Sequence, residues 1–355
     1  MKFRVLVVDD SAMMRSELSR ILEQDPELEV VGTAINGKFA LEKLVLLEPD
    51  VVTMDVNMPV MNGIEALKLM MLRPQPIPVI MISSLTTEGA EETMEALALG
   101  AFDYVAKPAG SMGNLPEQAA RIREKVLAAA RSKREGRTKN LVRPTPTAQK
   151  PIQARFKPVA GGMEGQIVGI GVSTGGPKTL MHILPELPAN FPGCIVIAQH
   201  MPKSFTATFA ARLNSVCAMT VKEAEEGDIL ERGTVYLAPG GGHMAVDNRN
   251  NKIRQIRLVE NVPGEIYKPS VHVLFDSLNQ GMGTRWIGVM LTGMGGDGAD
   301  SLCALRKAGG HTIAEAEESC VVFGMPGRVV AQGGAEFVLR ESEIAKKLID
   351  LVGGE

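Results

Sequence analysis

The chain has 355 residues, of which 45% are hydrophobic and 22% charged, and its formal net charge is −3. This length is sufficient for two domains with separate hydrophobic cores, and the composition is typical of soluble globular proteins. The weak negative charge disfavours a protein that binds nucleic acid along its whole length. No apolar run is long enough for a signal peptide or a membrane span, so we expect no direct membrane insertion.

The four cysteines are Cys194, Cys217, Cys303 and Cys320, and no two of them form a C-x-x-C pair. This wide spacing favours reduced thiols over a disulfide framework or a zinc site. We therefore expect a cytoplasmic protein.

The first 130 residues alternate between short apolar runs and amphipathic segments. Predicted strands cover Arg4–Val8, Glu29–Ala34, Val51–Asp55, Pro78–Ser83 and Asp103–Ala106, and predicted helices cover 11–24, Lys38–Leu47, Gly63–Leu72, Glu88–Leu99 and 116–131. Five strands that alternate with five helices indicate a doubly wound parallel sheet. In such a sheet the functional site lies at the carboxyl ends of the strands.

Polar side chains occupy these strand ends. Asp9 and Asp10 follow the first strand, Asp55 ends the third, Ser83 ends the fourth and Lys107 follows the fifth. Three converging carboxylates repel one another unless a cation lies among them, and oxygen ligands suit Mg²⁺. A lysine and a hydroxyl beside them would bind a phosphoryl group. Each residue alone could be a helix cap or a solvated charge, but five at consecutive strand ends favour a site.

Four segments of this region closely resemble the receiver domain of two-component response regulators. They are Val7–Ser11, Met54–Pro59, Met81–Ser84 and Tyr104–Pro108. The resemblance implies a flavodoxin-like domain over residues 1–130 in which Asp55 accepts a phosphoryl group from a histidine kinase.

The same resemblance implies the remaining site residues of this domain. They are Asp9, Asp10, Asp55 and the Asn57 carbonyl for Mg²⁺, Ser83 and Lys107 for the phosphoryl oxygens, and Tyr104 for a rotamer change in the switch. Asn57 and Asn62 stand where this family usually has acids.

Residues 131–165 are rich in Lys, Arg and Pro and lack apolar periodicity. The prolines interrupt any helix or strand, and a segment without apolar periodicity has no core of its own. A basic run could contact nucleic acid or anionic lipid, but aromatic interleaving and an amphipathic pattern are missing. We therefore predict a solvated linker between two domains.

A second region of strand and helix patterns begins at residue 166. The run Ile167–Gly171 predicts a buried strand, followed by a glycine-lined turn with Ser173 and a helix from about Pro177. The spacing G-x-S-x-G exposes a serine nucleophile on a sharp strand-to-helix bend, and the helix N-terminus suits an oxyanion. Glycines before a helix also cradle phosphates or dinucleotides, so this segment alone leaves both interpretations open.

The patterns that follow predict a second doubly wound sheet, of Rossmann-like type, over residues 166–355. Predicted strands cover Cys194–Gln199, Thr234–Ala238, Trp286–Leu291 and Thr312–Ala314, and predicted helices cover Ser270–Asn279 and Glu341–Leu351. His200 follows the second strong apolar strand, and the glycine-rich loop that contains Asp297 follows the third. Ser173, His200 and Asp297 are thus predicted to meet as nucleophile, base and orienting acid.

The choice of His200 and Asp297 rests on their positions after apolar strands. Among the other histidines, His182 lies in a helical pattern, His272 in an apolar run and His311 just before a strand, whereas His243 is predicted in a flexible loop that could line a cleft. Asp300 competes with Asp297, but the glycines around Asp297 allow closer backbone approach.

Residues 293–298 also fit the dinucleotide motif G-x-G-x-x-G. That interpretation needs an acid at the end of the next strand to bind ribose, and none is evident near Thr312–Ala314. A dinucleotide-dependent oxidoreductase is therefore disfavoured. The order Ser, His, Asp also differs from the Ser, Asp, His order of α/β-hydrolases, so that fold is not inferred.

Four segments of the second region resemble the CheB-type chemotaxis protein-glutamate methylesterases, a family that also joins a receiver to its catalytic domain. They are Gly171–Pro177, Gln199–Pro202, Leu291–Gly298 and Cys320–Pro326. The resemblance implies a Ser173–His200–Asp297 triad that hydrolyses methyl-glutamyl esters of methyl-accepting chemoreceptors and deamidates glutamines.

The resemblance further implies an oxyanion site formed by backbone N–H groups at Thr174 and Met294, control by phosphorylation of Asp55, and no cofactor in the esterase domain. Gly296 and His272 stand where this family usually has Asn and Asp. Two other functions remain as alternatives. The second domain could only bind a partner, or it could bind DNA, although no basic helix-turn-helix pattern follows the linker.

Overall fold

The computed structural model describes residues 2–84, 86–107, 115–134, 166–250, 253–282 and 285–353. The chain divides into two compact units, Met1–Pro146 and Thr147–Glu355. Residues 135–165 of the predicted linker, and Pro108 beside the predicted phosphoryl site, lie outside the described residues. No helix in the described ranges is both long enough and apolar enough to cross a membrane.

In the described residues of the first unit, five strands alternate with five helices. The strands are β1 (Phe3–Val8), β2 (Leu28–Ala34), β3 (Val51–Asp55), β4 (Val79–Ser83) and β5 (Asp103–Ala106), and the helices are α1 (Ala12–Leu22), α2 (Gly37–Leu47), α3 (Gly63–Met71), α4 (Thr87–Ala98) and α5 (Leu115–Arg134). The strands form one parallel sheet in the order β2-β1-β3-β4-β5. Strands β3 and β4 are buried throughout, because helices cover both faces of the sheet. The predicted fold class of this half is confirmed.

Helix α3 begins at a capping box that contains one of the unusual asparagines. The Asn62 side chain accepts a hydrogen bond from the Glu65 N–H at 2.8 Å, and the Glu65 carboxylate accepts one from the Asn62 N–H at 3.0 Å. Asparagine is among the preferred N-cap residues. Asn62 therefore fixes the start of α3 without the acid that receiver domains usually have at this position.

The second unit is larger, and its strands form a seven-stranded parallel sheet and a separate hairpin. The strands are β6 (Ile167–Val172), β7 (Cys194–Gln199), β8 (Thr220–Glu223), β9 (Thr234–Leu237), β10 (His243–Asn250), β11 (Ile253–Val259), β12 (Trp286–Met290), β13 (His311–Glu315) and β14 (Phe337–Leu339). The helices are α6 (Gly176–Ile183), α7 (Lys203–Val216), α8 (Val271–Met282), α9 (Ala299–Lys307), α10 (Met325–Ala331) and α11 (Glu341–Gly353). The order β14-β13-β12-β6-β7-β9-β8 confirms the predicted parallel α/β class.

Strands β6, β7 and β12 lie side by side, and all of their residues are buried. The strand order reverses between β6 and β12, and open α/β sheets place their sites at such switch points. Helix α8 packs across this part of the sheet, with the rings of Phe275 and Trp286 tilted at 5.1 Å between centroids. The core therefore fixes the three strand ends on which the predicted triad depends.

The antiparallel hairpin β10–β11 was not predicted, and it changes the interpretation of His243. This histidine begins β10 and is fully buried, so the prediction that it occupies a flexible loop is wrong. Its Nδ1 accepts a hydrogen bond from the Ser270 N–H at 3.3 Å. The glycines before His243 indicate a loop and not the start of a strand. Met244 and Val246 nevertheless show the period-two burial that a strand requires.

Candidate functional site

Ser173, His200 and Asp297 follow the three adjacent strands β6, β7 and β12, and their side chains meet at the carboxyl edge of the sheet. The Ser173 Oγ lies 3.0 Å from the His200 Nδ1, and the His200 Nε2 lies 2.8 Å from the Asp297 Oδ2. The His200 and Asp297 side chains are only 10% and 4% exposed. The structure thus brings together three residues that are up to 124 positions apart in the sequence (173 to 297).

Asp297 accepts four hydrogen bonds. Its Oδ2 accepts from the Val271 N–H at 2.7 Å as well as from His200, and its Oδ1 accepts from the His272 N–H at 2.9 Å and the Ser270 hydroxyl at 3.2 Å. Burial alone would raise the pKa of Asp297, but His200 and the two backbone donors at the start of α8 lower it below the ordinary value. Asp297 is therefore a carboxylate at neutral pH.

An ionised Asp297 determines which nitrogen of His200 carries the proton. A carboxylate only accepts hydrogen bonds, so the Nε2 of a neutral His200 must be the donor. The Nδ1 then has a free lone pair, and it is this atom that faces the Ser173 hydroxyl. The arrangement can remove a proton from Ser173 and stabilise the resulting imidazolium.

The turn that contains Ser173 is held by backbone contacts and by one glycine. The Ser173 N–H donates to the Thr292 carbonyl at 3.0 Å, and the Gly176 N–H donates to the Ser173 carbonyl at 2.8 Å. Gly175 has φ +80°, and a Cβ there would lie 2.4 Å from the Val321 Cβ, so a larger residue does not fit. The described residues offer no acceptor to the backbone N–H of Thr174 or of Met294, which leaves both donors free for a ligand.

Thr292 links this turn to the loop that contains Met294 and Asp297. Its hydroxyl donates to the Thr174 carbonyl at 3.0 Å and accepts from the Val322 N–H at 2.9 Å. Its own N–H donates to the carboxyl group of Glu315 at 2.8 Å. Thr292 is fully buried, so these bonds fix the relative positions of the two segments without competition from water.

Glu315 ends β13, the strand that follows the glycine-rich loop. The prediction that no acid ends this strand is therefore wrong. The acid is present, but its carboxyl group is fully buried and also accepts from the Ser319 hydroxyl at 3.0 Å. Since no part of this carboxyl reaches solvent, it does not offer the ribose contact that a dinucleotide site requires. Burial raises the pKa of Glu315 to about 7, and the nearby charge of Glu341 adds to this effect.

Glu315→Gln is expected to flatten the pH dependence of stability of the second unit. The unfolded chain loses this proton near pH 4.5, whereas the folded chain keeps it to about pH 7, so stability falls as pH rises between these values. A glutamine cannot ionise and can still accept from Thr292, so the free energy of unfolding at pH 8 should rise by about 2–4 kcal/mol.

The single tryptophan, Trp286, lies in β12, so urea unfolding followed by its fluorescence reports on this unit. Glu317→Gln, at an exposed position two residues away, is the matched control and should leave the profile unchanged. Equal pH dependence in Glu315→Gln and the original chain would contradict the assignment.

The remaining candidates from the sequence lie outside the triad. The His182 ring contacts Glu341, and the His311 ring contacts Glu336. The His272 ring contacts the Ser301 hydroxyl. His311, predicted just before a strand, is the exposed first residue of β13. Asp300 is exposed and accepts from the Gln332 amide at 3.0 Å, so Asp297 is the aspartate that meets His200.

The predicted carboxylates of the first unit also converge. Asp9, Asp10 and Asp55 each place a carboxylate oxygen within 4.8 Å of the other two. The Lys107 Nζ lies 2.7 Å from the Asp55 Oδ2 and 3.2 Å from the Asp9 Oδ2. Burial and the charge of Asp9 raise the pKa of Asp55, while Lys107 opposes this rise. Burial disfavours the charged form of Lys107, but both carboxylates together raise its pKa. A cluster of three hard oxygen donors fits Mg²⁺.

Three other predicted residues of this unit have partners outside the cluster of Asp9, Asp10 and Asp55. The Ser83 hydroxyl is buried and donates to the Gly89 carbonyl at 3.0 Å. The Asn57 side-chain amide donates to Glu92 at 2.8 Å. Tyr104 is buried, and burial raises the pKa of its hydroxyl well above the ordinary value.

Several residues that shape the triad were not predicted from the sequence. Gln199 donates from its amide to the carbonyls of both Ser173 and His200, at 3.0 and 3.1 Å. Ser270 and the start of α8 surround Asp297, and the Tyr267 ring stacks on His200. Helix α8 was predicted to begin at Ser270, but the sequence does not indicate that this end of the helix faces Asp297.

Both units match families of known proteins. Residues 168–348 match the family model of the CheB methylesterase, and residues 5–119 match that of the response regulator receiver domain. The protein-glutamate methylesterase/protein-glutamine glutaminase 2 of Carboxydothermus hydrogenoformans is 47% identical over 99% of both chains. The protein-glutamate methylesterase/protein-glutamine glutaminase of Archaeoglobus fulgidus is 45% identical over 98% of this chain and 97% of its own.

A solved structure is similar to the second unit. The crystal structure of the Thermotoga maritima CheB methylesterase catalytic domain superposes with a TM-score of 0.52 at 43% identity, and the match covers 54% of this chain and 100% of that one.

Proposed function

Since the chain belongs to the CheB methylesterase family and carries a response regulator receiver domain, we propose that it hydrolyses methyl-glutamyl esters of chemoreceptors under the control of phosphorylation at Asp55. Relatives that match this chain over 97–99% of its length are named protein-glutamate methylesterase/protein-glutamine glutaminase. The observation that carries the catalytic part of the proposal is the pair of hydrogen bonds that joins Ser173, His200 and Asp297.

Ser173 is the nucleophile in this mechanism. The His200 Nδ1 takes the hydroxyl proton while the Ser173 Oγ forms a bond to the γ-carbonyl carbon of the methylated glutamate. His200 then returns this proton to the leaving oxygen, and methanol departs. Water attacks the acyl-enzyme with His200 again as base, which releases glutamate and restores the serine. For a glutamine substrate the leaving group is ammonia.

The developing oxyanion needs donors that are in place before the reaction. The backbone N–H groups of Thr174 and Met294 serve this role in our proposal, because both lack an acceptor among the described residues. Thr292 supports the assignment, since its side chain and backbone join the segments that carry these two donors.

The receiver domain supplies the control. Asp9, Asp10, Asp55 and the Asn57 carbonyl would hold Mg²⁺, which neutralises the negative charge that gathers during phosphoryl transfer to Asp55. Lys107 already contacts Asp55 and would bind a phosphoryl oxygen. In this proposal Ser83 turns from the Gly89 carbonyl to the phosphoryl group, and Tyr104 changes rotamer.

The proposal assigns residues 1–130 to the receiver, 131–165 to a linker and 166–355 to the esterase. The phosphodonor is a chemotaxis histidine kinase, the substrates are the cytoplasmic helices of methyl-accepting receptors, and the enzyme acts in the cytoplasm without binding nucleic acid. The esterase chemistry needs no cofactor, since the three side chains and two backbone donors cover each proton and charge transfer.

Release of methanol tests the proposed substrate. Receptor-containing membranes are methylated with a radioactive methyl donor, the purified full-length chain is added, and volatile radioactivity is collected. Rapid release is expected. If the chain binds these membranes but releases no methanol, the second domain is a binding module and the proposal is wrong.

Asp55→Asn should abolish activation by a small phosphodonor such as acetyl phosphate while leaving the basal release of methanol intact. Asparagine keeps the size of the side chain but cannot accept a phosphoryl group. Asp25→Asn, in the loop before β2, removes a carboxylate away from the cluster and serves as the control. Full activation of the Asp55→Asn variant would refute the phosphorylation site.

A further inference from the structure

The ring of Tyr267 lies directly against the ring of His200. The two ring centroids are 4.3 Å apart, and the ring planes are inclined by only 5°. Both nitrogen edges of the imidazole are already occupied, one by Ser173 and the other by Asp297. Tyr267 therefore contacts the part of the imidazole that remains, which is one of its two faces.

The position of Tyr267 in the chain ties it to the same group of residues. It lies between β11 and α8, three residues before Ser270, whose hydroxyl donates to Asp297. A Cβ added to Gly295 would lie 3.4 Å from the Tyr267 hydroxyl oxygen, so this tyrosine also borders the loop between Met294 and Asp297. Tyr267 is partly exposed, so the aromatic pair lies at the margin of the site and not in the core.

This arrangement affects the charged form of His200 most strongly. During acylation the imidazole accepts the Ser173 proton and becomes an imidazolium, and during deacylation it accepts a proton from water. The face of a phenol ring carries negative potential and attracts a cation that lies over it. A neutral imidazole is attracted less strongly by the same ring face. The stack therefore lowers the free energy of the transition states more than that of the resting enzyme.

We propose that Tyr267 is a positioning residue that stabilises the protonated ring of His200 and holds its orientation between Ser173 and Asp297. This inference rests on the proposed ester hydrolysis, and it concerns a residue to which that proposal gives no role. Tyr267 neither donates nor accepts a proton in the reaction. It acts through the face of the imidazole.

Tyr267→Leu is expected to lower kcat for methanol release by about three- to thirty-fold and to leave KM unchanged. Tyr267→Phe keeps the ring without the hydroxyl and should stay within about twofold of the original chain, because the ring face carries the effect. Ile266→Ala changes an exposed neighbour in the same loop and should leave both constants unchanged.

A series of phenylalanine analogues at position 267, with increasing numbers of fluorine atoms, separates this role from simple packing. Fluorine withdraws electron density from the ring face while the shape of the ring is nearly kept. We expect kcat to fall steadily along the series. An equal kcat throughout the series, or a loss that appears in KM alone, would overturn the inference.

One control keeps these outcomes distinct. The unfolding transition followed by Trp286 fluorescence shows whether each variant is folded. If Tyr267→Leu fails to fold, the fluorinated series decides the question alone. Absence of hydrolysis by the original chain would refute the proposed function itself, whereas hydrolysis with a flat fluorinated series would refute only the role of Tyr267.

Discussion

Ser173→Ala is expected to lower kcat/KM for methyl-ester hydrolysis by about four to six orders of magnitude. The Ser173 Oγ is the atom that forms the acyl bond, and alanine leaves no other hydroxyl beside the His200 Nδ1 among the described residues. The backbone donors at Thr174 and Met294 remain in this variant. They can still stabilise an oxyanion formed by direct attack of water, which sets the residual rate.

Stability should hardly change in this variant. The Ser173 hydroxyl makes a single hydrogen bond in the described part of the chain, and the turn is held by backbone contacts that alanine keeps. Thermal unfolding and methanol release are therefore measured together. Ser215→Ala, at an exposed position in α7, is the matched control. Substantial methanol release by folded Ser173→Ala would exclude Ser173 as the nucleophile.

The triad was predictable from the sequence because each member follows a strong apolar strand. Ser173, His200 and Asp297 come directly after β6, β7 and β12 or in the loop that follows, and parallel strands bring such positions to one edge of the sheet. The same reasoning located Asp9, Asp10, Asp55 and Lys107, which the structure also brings together. In these cases a local pattern and a general rule of sheet topology were sufficient.

Residues whose role depends on a contact between distant segments were not predictable in this way. Tyr267 lies 67 positions after His200 (200 to 267) in a segment without periodicity, and only the path of the chain around α8 places it against the imidazole. Glu315 ends a short strand whose predicted range stopped one residue earlier. Its function in holding Thr292 follows from the pairing of β13 with β12, which a sequence pattern does not specify.

The hairpin β10–β11 is a different case, since its signal was present. Met244 and Val246 on one strand and Ile256 on the other are buried at alternate positions. The glycine-rich run before His243 predicts a loop, because glycine allows conformations that other residues rarely adopt. The segment forms a hairpin instead, because burying these side chains against the domain core stabilises it.

Asp297→Asn should lower kcat/KM by about three to four orders of magnitude, although the change in size is negligible. The carboxylate accepts four hydrogen bonds, two at each oxygen, and each oxygen faces one backbone N–H. An asparagine has only one oxygen, so its NH₂ group must face a backbone donor whichever way the amide turns. If the NH₂ group replaces Oδ2, it also faces His200 and forces the proton from Nε2 to Nδ1, where it blocks transfer from Ser173.

The effect of Asp297→Asn is compared with the effects of two further variants. Ser270→Ala removes one donor to Asp297 but leaves the carboxylate charged, so its effect should stay within about tenfold. Asp300→Asn changes the neighbouring aspartate, which is exposed and contacts Gln332, and should have no effect on catalysis. Thermal unfolding of each variant separates loss of fold from loss of chemistry. If folded Asp297→Asn were as active as Asp300→Asn, Asp297 would neither orient His200 nor stabilise its charge.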